Sequence, residues 1–194
     1  HVGAVLLLVC VIADLYLFVA KFTPAEDPRY LHVDTLSVGE MARGPEPSRM
    51  LSLGKDPIRR MAPNTPMIVG LEDIQGSDSL EVGSYREMLA AAGDGNPDFP
   101  QPDPSLPLID LLGVKHVHSS VPVQGAPKLR LVTDGEGYLY ENPRALPRAF
   151  TPARWERGDG AEAMQRVVSQ NFDPLATALV ADCEPGVAAK TVPV

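Results

Sequence analysis

At 194 residues, 44% hydrophobic and 22% charged, the chain is long enough for one domain with a sizeable core and an appendage besides. Its 17 basic and 25 acidic residues give a net charge of −8, and the basic ones are scattered, which argues against a phosphate-binding face and against nucleic acid as a partner. Two cysteines near opposite ends, Cys10 and Cys183, signal neither a disulfide framework nor a thiolate metal cage.

The appendage is "VGAVLLLVCVIADLYLFVA", Val2 to Ala20, broken only by Asp14 and followed by Lys21. A helix of this length crosses a hydrocarbon core of roughly 30 Å. Its Leu, Ile, Val and Phe residues, at about −0.3 to −0.6 kcal/mol each, outweigh one Asp at roughly +2.5 to +3.5. We therefore expect a transmembrane helix over residues 1–22. A signal peptide and a buried core helix compete with this reading, but the run is long for a signal and no small-x-small cleavage site follows it. His1 and Lys21 give the positive-inside rule almost nothing to count, so orientation is barely encoded. A first residue other than Met suggests processing or a longer parent.

Residues 23–183 read as one small α/β or α+β domain with a mixed sheet and flanking helices, and 184–194 as a flexible tail. "RMLSLG" (Arg49 to Gly54) predicts a buried strand ended by glycine, and "SYREMLAAAG" (Ser84 to Gly93) a helix with a glycine stop. The Pro-rich stretch 93–107 has too little apolar surface to offset its ordering entropy and predicts a stiff surface loop, either a spacer or a lid. A short helix from Leu106 to Leu112 and an alternating strand from Val114 to Ser120 follow. "KLRLVTDGEGYLYENP" predicts two strands joined at Asp134-Gly135. A helix from Gly160 to Gln170 and a last strand in "LATALVADC" complete the pattern.

The candidate chemistry is thin. Glu72, Asp73 and Asp78 in "LEDIQGSD" are carboxylates around a glycine, of the type that serves acid–base work or holds a divalent cation, but the spacing fits no calcium loop and a solvated turn explains them as well. His116 and His118 share one face of a strand as metal ligands can, yet lack a third ligand at telling spacing, so edge-strand histidines facing water are expected. Ser119 and Ser120 lack the glycine framing of a nucleophile elbow. Trp155, between Arg154 and Arg157, fits a sugar-stacking or headgroup role, or a half-buried aromatic under arginine stems. In "YENPRALPRAF" (Tyr140 to Phe150), Asn142 before Pro143 predicts a side-chain-capped turn, and Pro147 a rigid crossing between two sheet strands. Arg144 and Arg148 project from it. They are expected to clamp a carboxylate, one from the Glu72 to Asp78 loop being the candidate, with Arg148 the more buried; an anionic ligand such as a lipid phosphate is the alternative. No catalytic residue, metal site or cofactor is expected.

Four segments, "TPMIVGLEDIQGSDSL" (Thr65 to Leu80), "LIDLLGVKHVHSS" (Leu108 to Ser120), "YLYENPRALPRAF" (Tyr138 to Phe150) and "FDPLATALV" (Phe172 to Val180), in order and spacing resemble the extracytoplasmic region of the YfhO family of bacterial membrane proteins. That family is similar to GT-C-type glycosyltransferases, which use lipid-linked sugar donors at the outer face of the cytoplasmic membrane. The resemblance implies a bacterial cytoplasmic membrane location, a periplasmic or extracytoplasmic globular domain, and a catalytic carboxylate in a membrane body outside these segments. Two functions follow as expectations. One is a non-catalytic, single-span accessory subunit docking on a larger membrane complex. The other is a fragment of a YfhO-like glycosyltransferase, whose soluble domain positions acceptor or lipid-linked donor. The expected partners are the bilayer and other membrane protein subunits.

Overall fold

A computed structural model describes residues 2–22, 36–42, 48–54, 61–135 and 137–181, and the chain divides into two compact units, His1–Val33 and Asp34–Val194. The expectations for the tail 184–194 and for Cys183 lie outside the described residues. In the first unit, α1 (Val2–Phe22) is one continuous helix. It is hydrophobic around its whole circumference rather than along one stripe, so no face is marked for a soluble core. Its span Val2–Ala20 has a mean hydropathy of 2.7, is long and apolar enough to cross a membrane, and has none of its surface buried. Cys10 lies exposed within it.

The second unit is built on a five-stranded mixed sheet ordered β2-β1-β3-β5-β4, formed by β1 (Arg49–Leu53), β2 (Glu72–Asp73), β3 (Val114–Ser119), β4 (Arg130–Thr133) and β5 (Tyr138–Glu141). β2, β1 and β3 run parallel, whereas β3–β5 and β5–β4 are antiparallel. The predicted hairpin is β4–β5. β2 is only two residues long, and side chains continue its ladder. Gln75 Oε1 accepts from the Ser52 N–H at 2.9 Å, and Gln101 Oε1 from the Gly54 N–H at 2.8 Å. These amides would otherwise be costly orphans at a buried strand end.

Helices cover both faces. On one, Leu51, Val117 and Tyr140 pack with Leu89 of α3 (Gly83–Ala91) and Ile109 of α4 (Pro107–Leu111). On the other, Met50, Leu71 and Leu139 pack with Val38 and Met41 of α2 (Leu36–Ala42). Each fully buried aliphatic side chain contributes about 1.5–3 kcal/mol. The result is an α/β layer fold with a mixed sheet, preceded by an apolar helix, as the sequence predicts.

Two expectations change. The segment Tyr140 to Phe150 does not join strands of one sheet. It leads from β5 to β6 (Arg154–Arg157), which pairs parallel with β7 (Thr177–Val180) in a separate two-stranded sheet, with α5 (Gly160–Val167) as the crossover. The polar "RWER" has no alternation of hydrophobicity to announce a strand. His116 and His118 also do not face water on an edge. β3 is the middle strand of five and both of its faces are covered, so the two rings are 8% and 5% exposed.

The Pro-rich stretch is a closed loop whose exposed tip, residues 94–99, stands on a buried base. At the base the Asp103 N–H donates to Ala92 O at 2.9 Å, Pro100 and Pro102 are buried, and Gln75 Nε2 donates to Pro100 O at 2.6 Å. A Cβ on Gly93 would overlap the backbone of Gln101, so only glycine permits this closure.

Candidate functional site

The three loop carboxylates do not converge. Glu72 lies on β2 beside Arg49 of β1 and accepts from Arg49 Nε at 3.2 Å, while the Arg148 guanidinium holds its other oxygen. The Arg148 hydrogen bond keeps the Glu72 carboxyl below its ordinary value, opposed by partial burial and reinforced by Arg49. Asp73 caps backbone amides instead, accepting from Gln75 N at 2.8 Å and Asn64 N at 3.3 Å. Asp78 caps Leu80 N at 3.0 Å. Among the described residues no group of histidine, cysteine or carboxylate side chains is arranged to hold a metal ion.

The arginine pair divides between two carboxylates. Arg148 does reach the Glu72 to Asp78 segment, but its side chain is 57% exposed, so the clamp lies on the surface rather than inside the domain. Arg144 pairs at 3.4 Å with Asp110, a residue the sequence reading passed over; Arg144 is 66% and Asp110 only 4% exposed. Asp110 sits on α4 between Ile109 and Leu111, and its Oδ1 accepts from Lys128 Nζ at 2.6 Å and Asn142 Nδ2 at 2.8 Å. Lys128 also donates to Leu106 O at 2.8 Å, and Asn142 to Val114 O at 3.0 Å. Burial pulls the Lys128 ammonium below its ordinary value, against the hydrogen bond and charge of Asp110. Asn142 Oδ1 meanwhile accepts from Arg144 N at 3.1 Å, the side-chain-capped turn that "NPR" predicts. One charged residue inside the apolar run "LPLIDLLG" was the available signal for this cluster, since a buried carboxylate must find partners.

Trp155 is half-buried on β6, in register with Ala178 of β7. Arg154 does not lie over it, because alternation puts the arginine on the opposite face, where Arg154 Nε donates to Thr177 Oγ1 at 3.1 Å and meets Glu156 at 3.0 Å.

Two further features could take a ligand. On the sheet face beneath α2, strand register sets His116 between Met50 and Glu141, and His118 between Ser52 and Leu139. His116 Nδ1 is hydrogen-bonded to Ser48 Oγ at 3.2 Å, whereas His118 Nδ1, Ser52 Oγ and Ser37 Oγ are buried without a hydrogen-bond partner. Burial lowers both imidazoles below their ordinary value and keeps them neutral near pH 7. The second feature is an open, largely apolar groove of about 460 Å³ between α3 and α5, lined by Tyr85, Met88, Ala163, Met164, Val167 and Leu179 among others. Neither arrangement joins a nucleophile, a base and an oxyanion donor around one point.

No known family, curated protein or solved structure matches this chain.

Proposed function

We propose that the chain is a membrane-anchored, non-catalytic accessory subunit whose globular unit docks on a larger membrane protein assembly, with that unit on the outer side of a bacterial cytoplasmic membrane. The observation that carries this reading is α1. Its apolar side chains are exposed along the whole span, Leu7 at 70% and Phe18 at 60% among them, so the fold makes no use of surface that water penalises and a bilayer accepts. The polar clusters of the globular unit support the same reading, because Glu72, Asp110 and Asn142 are spent on joining elements of the fold.

One observation favours the second reading, a portion of a YfhO-like membrane glycosyltransferase that positions acceptor or lipid-linked donor. The segments carrying that resemblance bind one another: Glu72 of "GLEDIQG" holds Arg148 of "YENPRALPRAF", and Asp110 of "LIDLLG" holds Asn142 of the same stretch. Their residues thus make up a framework, as a family's scaffold would.

Expression of the full chain in bacterial membranes, extraction in mild detergent and isolation by a C-terminal tag tests both. Membrane retention and reproducible co-purification with an integral membrane protein, without sugar transfer from a polyprenyl-linked donor, is the expected result. Transfer by the purified chain that is lost in Glu72→Gln or Asp73→Asn overturns the non-catalytic reading, and release of the chain into buffer without detergent overturns the anchor.

A further inference from the structure

We propose that α2 is a proton-released latch: protonation of His116 and His118 lifts α2 from the sheet while the five-stranded sheet stays folded. The two rings lie at i and i+2 on the central strand, on the face that α2 covers, and both are more than nine-tenths buried. An imidazolium there would be a charge removed from water with little to compensate it.

Few described groups can offset that charge. On β5, Glu141 lies opposite His116 and attracts its proton, while Lys115, next in sequence, opposes it. On β4, Arg130 is in register with Glu141 and adds a positive charge to that rung. α2 contributes Glu40, and β1 only the neutral Ser52 and Met50. His118 is flanked by Ser52 and Leu139, and burial is the cause of its lowered value. The partnerless Ser37 Oγ, Ser52 Oγ and His118 Nδ1 show independently that this interface is imperfectly satisfied even when neutral.

The response falls on α2 because it is the weaker partner. A seven-residue helix has no stability of its own and depends on docking through Val38 and Met41. β3, by contrast, is held by ladders to β1 and β5 and by the α3–α4 layer on its other face. Release of α2 would open one side of the cluster of Met50, Leu71 and Leu139, against which Met61 and Val69 also pack.

The linkage has a definite sign. Each histidine binds a proton less readily in the docked state than free, so docking is strongest above about pH 6.5 and weakens as pH falls through the lowered docked value. Hydrogen exchange of the full chain in detergent, corrected for intrinsic rates, should show protection of residues 36–42 falling at least about tenfold between about pH 7.5 and pH 5, with β3 and β5 still protected. Histidine ring NMR signals of the unaltered chain should titrate at the same midpoint. In the His116→Leu/His118→Leu variant, protection of α2 should no longer depend on pH. The proposal is overturned by pH-independent protection of α2 in the native chain, by simultaneous loss across α2, β3 and β5, or by histidines that titrate while α2 remains protected. It is equally overturned by a folded double variant that keeps the native pH dependence. Should that variant not fold, the ring titration and exchange of the native chain decide alone.

Discussion

Asn142 Nδ2 donates to Asp110 Oδ1 at 2.8 Å, 32 residues away in sequence, and so ties the turn after β5 to the short helix that precedes β3. Lys128 takes the same oxygen from the loop before β4, which makes Asp110 the point where three segments meet. Asp110→Ala leaves Lys128 charged, 8% exposed and without its carboxylate, and should cost about 3–5 kcal/mol in urea denaturation. Asp110→Asn should cost less if its amide keeps one of these bonds.

The exposed arginines should behave differently. Arg148→Ala removes a surface ion pair and should cost no more than about 1 kcal/mol, less in high salt. Arg144→Ala removes an exposed arginine from the buried Asp110, which keeps Lys128 and Asn142 as partners, so its cost should depend less on salt. The exposure of Arg148 corrects the expectation that it clamps a carboxylate inside the domain. Salt-dependent denaturation of the two variants checks it.

Gly93→Ala should open the Pro-rich loop. The added methyl group overlaps the Gln101 backbone, which cannot withdraw without breaking the closure between Ala92 and Asp103. Limited proteolysis should then cut within residues 94–104 much faster than in the native chain, while Gly95→Ala, where φ is +77° but nothing lies nearby, should leave the loop base closed.

Tyr85 sets an alkaline limit. Burial pushes its hydroxyl up to about 12, and that hydroxyl donates to Ile74 O at 2.9 Å. A value raised above the ordinary 10 means that the stability from this group is intact below about pH 10 and is lost as pH rises towards 12. Tyr85→Phe should lower stability by about 1 kcal/mol at pH 7 and flatten this alkaline loss, as read from thermal melts at increasing pH.

Removal of residues 1–22 should leave a folded globular unit, since Asp34–Val194 is compact by itself. The shortened chain should stay monodisperse in buffer without detergent and keep its far-ultraviolet signature; aggregation with loss of that signature would contradict it.

The elements with strong local signals were legible in the sequence. β1 ends on a glycine, the β4–β5 hairpin turns near Asp134-Gly135, and α5 begins where "GDGAEA" predicts. α2 was not, because "LSVGEMA" carries a glycine and spans too few residues to show a period. β2 owes its two bridging residues to β1 rather than to any pattern of its own. The histidines were misplaced for the same reason: local alternation says which face of β3 they share, but only the order of strands says that this face is covered. Asp110 was legible as an anomaly in an apolar run, while Lys128 and Asn142, its partners, are set by packing between distant segments.

The parallel pairing of β1 with β3 also bears on how the chain acquires its shape during synthesis. Ser48, at the entrance to β1, reaches His116 across 68 residues, so until β3 has been made β1 has among the described strands only the two-residue β2 to pair with. At about 5–20 residues per second a ribosome needs roughly 3 to 14 s to cover that distance. During that interval Leu51 to Leu53 lie beyond the reach of the short β2 ladder and wait for β3, whereas β4 and β5, neighbours in sequence, close within microseconds of emerging. Nascent chains halted before and after β3 should therefore differ sharply in their capture by holdase chaperones.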